Sequence, residues 1–121
     1  MPAVLNREHD NTYRLSISGV LSKADLDRSQ DVLLAAMEHA ALGKIRLLVV
    51  LGDFQGWDAR SNWSDLSFYV RHGDRIERIA IVGDVRWRDH VLMFAAADLR
   101  RAPVKFFDTT SLDDARKWLA Q

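Results

Sequence analysis

The sequence predicts a single-domain α/β fold over residues 1–121: a mixed, mostly parallel sheet with packed helices, in the order β-β-α-β-α-β-α-β-α. Three observations predict it. Ile45–Leu51 is an almost unbroken apolar run, and Ile76–Val82 is a second buried-strand candidate, as central strands covered on both faces require. Tyr13, Leu15 and Ile17 alternate with Arg14, Ser16 and Ser18, the period of a strand with one covered face. Apolar residues at helical spacing separate or follow these segments, and alternating strands and helices give parallel sheets with right-handed crossovers.

Each element has its own signals. Val4 to Glu8 is a short strand, and Asp10-Asn11 supplies the turn that pairs it with the Tyr13–Ile17 strand as a hairpin. Ser22-Lys23-Ala24-Asp25 reads as a capping box with Asp25 in place of the usual Glu, and Leu21 and Leu26 are spaced as its hydrophobic staple. Leu26, Leu33, Met37 and Ala40 then share a helix face that Gly43 ends. Gly52 is expected to break the central strand. Asp58 is placed to cap a second helix carrying Ala59, Trp63, Leu66 and Val70. A third helix is expected over about Trp87 to Leu99. Its two apolar stripes, Trp87, Val91 and Phe94 beside Leu92, Ala96 and Leu99, imply burial on two sides or a partner. Pro103 precedes a last strand, Val104–Phe107. Ser111 or Thr110 caps a final helix with Leu112, Ala115, Trp118 and Leu119 inward.

Composition narrows the function. With 48% hydrophobic residues the chain can build a core without staples, and its lack of cysteine excludes disulfides and thiolate chemistry. Seventeen basic residues balance seventeen acidic ones, which disfavours nucleic acid as a partner. The start of the chain lacks a signal peptide's pattern and no apolar run approaches a bilayer span, so a cytoplasmic location is expected.

Phe54-Gln55-Gly56-Trp57 after the central strand, Arg78 to Trp87 through the fourth, and Phe106-Phe107 leading to Ala115-Arg116-Lys117-Trp118-Leu119 resemble the SpoIIAA-like (STAS-type) family. The resemblance covers essentially the whole chain and implies a fold similar in shape to CRAL-TRIO. It implies a non-catalytic role: partner binding, or an apolar ligand or membrane contact through the second and third helices. The phosphoserine switch of anti-sigma antagonists does not carry over, because Gly56-Trp57-Asp58-Ala59-Arg60 stands where the Asp-Ser-Ser-Gly motif would be.

The strongest local pattern is a pair of corners, Gly52–Trp57 and Gly83–Trp87, where buried strands lead into aromatic-bearing helices. Ligands gather beyond the carboxyl ends of parallel strands. Phe54, Trp57, Trp63, Leu66, Trp87, Val91 and Phe94 are therefore the candidate ligand-binding residues for a small apolar molecule or lipid. Filling of ordinary core explains the same aromatics. Arg86 and Arg88 flank Trp87 and are candidates for peripheral contact with membrane headgroups, or for a plain solvated helix start. Neither corner has a dinucleotide or P-loop pattern, so no cofactor is expected. Asp53 and Asp84 read as turn or capping residues, and the four histidines lack ligand spacing, so no catalytic residue and no metal site are expected. The reading is a binding module for an apolar ligand. The alternative is a protein-interaction module, either a homodimer or the partner of a regulatory protein.

Overall fold

The computed structural model describes residues 3–9, 11–39, 44–58, 73–94 and 102–121. They form β1 (Ala3–His9), β2 (Thr12–Leu21), α1 (Lys23–His39), β3 (Ile45–Trp57), β4 (Ile76–Val82), α2 (Arg88–Phe94), β5 (Val104–Phe107) and α3 (Leu112–Ala120). Single 3-10 turns, Gly73–Arg75 and Val85–Trp87, precede β4 and α2. The expected second helix lies outside the described residues, as do Ala40, Gly43, Ala96 and Leu99. The expected third helix is α2.

The strands form one sheet in the order β1-β2-β3-β4-β5. β1 pairs antiparallel with β2, aligning Leu5 with Leu15, and the other pairings are parallel. The hairpin and the parallel crossovers thus follow the expected mixed topology. Residues in register share a face of a sheet, and the faces differ here. Leu15, Ile17, Leu47, Leu51, Ile79 and Ile81 form one buried layer with Leu33 and Met37 of α1 and Val91 of α2. Leu48, Ala80 and Val82 face the opposite way, onto Ala115 and Leu119 of α3.

Local chemistry holds the helix ends. The Ser22 hydroxyl accepts from the Asp25 N–H at 3.2 Å, and the Asp25 carboxylate accepts from the Ser22 N–H and hydroxyl, which completes the capping box. Ser111 does occupy the cap position of α3, but its hydroxyl turns back to the Asp108 carboxylate and makes no cap bond. The expected Ser111 cap is therefore corrected: Asp108, which accepts from Thr110 and Ser111, organises that turn. On the α3 side, Arg116 reaches Glu8 of β1 with two hydrogen bonds, at 3.0 and 3.2 Å, and ties the last helix to the first strand.

The largest departure is β3. Gly52 does not break it, and the strand continues to Trp57 because β2 extends to Leu21 and supplies a hydrogen-bonding neighbour throughout. The expected Gly52–Trp57 corner is a correction: all of it belongs to β3.

Candidate functional site

Leu51, Phe54 and Trp57 of β3 all line one cavity. Steps of three change face in a regular strand. β3 restores them to one side by carrying two extra residues against β2. The register runs from Ile17–Leu51 to Gly19–Phe54, then to Val20–Gly56 and Leu21–Trp57. Bulges of this kind re-aim side chains. Gly56 sits at the second of these irregularities with φ +110°, a conformation that side-chain-bearing residues rarely adopt, and a β-carbon there would come within 3.5 Å of the Trp87 ring.

The cavity holds about 110 Å³ and lies against the α1 side of the sheet. Leu15, Ile17, Leu47, Val49, Ile79 and Ile81 form its floor, and Leu21 and Leu26, the expected staple, form part of its wall. Every described lining residue is apolar. Interiors normally leave few voids larger than a water molecule.

The aromatic cap is solid. Phe54 lies 5.0 Å from Trp57 and 4.9 Å from Trp87, and the two indoles are 6.0 Å apart, all in edge-to-face contact. Such pairs favour this T-shaped geometry. The rings therefore pack on one another, and the open space lies beneath them, beside the sheet. His90 is exposed, and its ring stands 6.2 Å from both Trp57 and Trp87. Sequence reasoning missed that contact, although the spacing Trp87-x-x-His90 along a helix could have signalled it.

The expected ligand residues thus divide. Phe54, Trp57 and Val91 line the cavity, and Trp87 backs them without reaching it. Trp63 and Leu66 lie outside the described residues, as does the side chain of Phe94. The floor residues of β2 and β4 were read from the sequence only as core.

Around the cap, charges pair locally. Arg86 stacks over the Trp87 ring at 5.3 Å and lies 4.0 Å from Asp84, while Arg88 lies 3.3 Å from Asp89. Each of the two arginines thus has an acidic neighbour. Asp84 also accepts the Arg86 N–H at 3.0 Å and caps the 3-10 turn, the structural role expected of it. Asp53, expected as a turn or capping residue, instead lies within β3 beside Phe54, exposed. Among the described residues, no group of three or more His, Asp or Glu side chains is placed to hold a metal ion. No helix among them is long and apolar enough to cross a membrane.

A model of the SpoIIAA-like family matches residues 12–120. The chain belongs to the SpoIIAA-like family. The match spans both the strands that floor the cavity and the segment that carries its cap. A crystal structure of an uncharacterised protein of the DUF3478 family with a SpoIIAA-like fold, from Shewanella loihica PV-4, is similar throughout. It is 23% identical, superposes with a TM-score of 0.73, and the alignment covers 97% of this chain and 91% of that one. That likeness establishes the fold. No curated protein matches the chain. The SpoIIAA-like fold is that of a regulatory or interaction module, which agrees in kind with a binding role.

Proposed function

We propose that this SpoIIAA-like domain is a non-catalytic binding module, and that the cavity beneath Trp57 receives the apolar part of its ligand. The observation that carries this reading is the cavity itself: about 110 Å³, walled by apolar side chains and capped by an aromatic cluster. An apolar cavity of roughly 150 Å³ stays dry and binds benzene or xenon. A space somewhat smaller suits a compact hydrocarbon, a halogenated group or the end of an alkyl chain. Pockets for whole drug-sized ligands begin at roughly 300 Å³, so a complete lipid tail would require the site to widen.

Xenon and benzene titrations followed by methyl NMR test the proposal. Binding should perturb the methyl groups of Val49, Ile79 and Ile81, and Val49→Leu, which fills the space, should suppress it. No perturbation at saturating xenon would refute the cavity as a site.

A second reading, a protein-interaction module, draws on a different place. Val4 on β1 and Val32 on α1 are 41% and 54% exposed, and both line one groove beside β1, an edge strand among the described residues. A partner docked there would leave the cavity untouched.

A further inference from the structure

We infer that Gly83 sets the size of guest the cavity accepts, by letting Leu51 stand back from it. This rests on the cavity being the binding site, and it gives that site a specificity-determining position outside its own lining. Gly83 directly follows β4, and its N–H donates to the Phe107 carbonyl of β5 at 3.1 Å. Leu51 on the neighbouring β3 does line the cavity.

Leu51 occupies the place where a side chain at position 83 would stand. A β-carbon on Gly83 would fall 2.8 Å from Leu51 Cδ1, 2.9 Å from its Cβ and 3.1 Å from its Cγ. Carbon atoms pack best at about 3.5–4.0 Å, so a side chain at 83 must drive the Leu51 side chain away by roughly 0.7–1.2 Å. Neighbouring strands ordinarily stand about 4.8 Å apart. Only a residue without a side chain lets Leu51 come this close.

The surroundings decide where Leu51 would go. Gly83 is tied to β5 through its N–H and cannot withdraw. The backbone of β3 is held on both sides, with Leu51 in register with Ile17 of β2 and Val50 with Val82 of β4. Moving sideways, Leu51 meets Ile17, which is itself buried. The open volume that Leu51 borders is the cavity of about 110 Å³. Interiors are otherwise close-packed, so displaced atoms move into the space that exists. A side chain at 83 therefore enters the cavity indirectly, as an advance of Leu51. Guest size then matters. Xenon and benzene both suit apolar cavities of this kind, but a wall that advances by about 1 Å removes the clearance of a planar ring before that of a single atom.

Xenon and benzene titrations of the parent and Gly83→Ala, followed by methyl NMR, test the inference. The parent should take up both. Gly83→Ala should keep xenon and bind benzene roughly tenfold or more weakly, the range for one excess methylene in an apolar pocket, with the Leu51 methyl signals shifting most. The same substitution in a Leu51→Ala background is the second measurement, and it decides the matter if the single variant does not fold. The crowded Cδ1 and Cγ are gone there, and Gly83→Ala should change benzene binding by less than about threefold, as coupling through Leu51 requires. A parent that takes up neither guest removes the site and this inference with it. A parent that binds both, with benzene binding unchanged in Gly83→Ala or weakened equally in the Leu51→Ala background, overturns the role of Gly83 alone. So does loss of both guests by Gly83→Ala with an unchanged far-UV spectrum.

Discussion

Arg46 and Arg78 stand side by side on β3 and β4, and each donates to a carbonyl in the last turn of α3. Arg46 Nη1 reaches the Leu119 carbonyl at 2.6 Å, and Arg78 Nη1 reaches that of Trp118 at 2.9 Å. The last carbonyls of a helix lack partners within it, and cations there also meet the negative end of its dipole. Two adjacent guanidinium groups would otherwise repel. Glu77 lies 3.3 Å from Arg46, and the Trp118 ring lies 5.3 Å from Arg78, so each cation has a second stabilising neighbour. The sheet thereby supplies partners for the last carbonyls of α3.

Replacing Arg78 or Arg46 with Met should cost about 1–2 kcal/mol each, since hydrogen bonds from charged groups contribute in that range and both sites are partly solvated. The double variant should lose more than the sum, because each single substitution already relieves the one repulsion between the two cations and the double cannot relieve it twice. Urea unfolding of the four proteins measures the coupling.

Gly83→Ala should cost about 1–3 kcal/mol, the range for overpacking a filled core, because a β-carbon there would fall 2.8 Å from Leu51 Cδ1 and 2.9 Å from its Cβ. Gly56→Ala should destabilise by a similar amount for a different reason. Its backbone at φ +110° is strained for alanine, while the new methyl would meet the Trp87 ring at an ordinary 3.5 Å. Near-UV circular dichroism should separate them, since only the second disturbs the indole cluster.

Hydrogen bonds from the Thr110 hydroxyl, the Thr110 N–H and the Ser111 hydroxyl hold the Asp108 carboxyl below its ordinary 3.8. A lowered folded-state value means the stabilisation is complete above 3.8 and vanishes as pH falls through the lower folded value. Asp108→Asn should therefore be less stable than the parent at pH 7, and the difference should shrink toward zero in strong acid. Equal stability at pH 7 would show that this turn contributes nothing to folding.

Val49→Ile should raise stability by up to about 0.8 kcal/mol, the value of one buried methylene, because it extends into the cavity floor without displacing a neighbour. Thermal unfolding of the parent and variant, with and without benzene, checks both the packing and the site. Benzene should raise the melting temperature of the parent more than that of the variant.

The sequence revealed what depends on near neighbours. The hairpin, the capping box at Ser22 and Asp25, and the two central strands follow from periodicity and short-range hydrogen bonding. It concealed what depends on pairing at a distance. Gly52 reads as a breaker because glycine weakens an isolated strand, yet residues 19–21 of β2 give β3 a partner beyond it. Two bulges then decide which side Phe54 and Trp57 face, and no local pattern encodes them. Ser111 has the right identity for a cap, but Asp108, three residues earlier, competes for its hydroxyl. The arginine clasp joins positions 40 and 73 residues apart, beyond the reach of any motif.

Because Trp57 is anchored in a hydrogen-bonded ladder instead of hanging from a loop, the indole above the void has the stiffness of the sheet. The amide that follows it, Asp58 N–H, donates to the Leu21 carbonyl at 2.8 Å and should exchange slowly with deuterium.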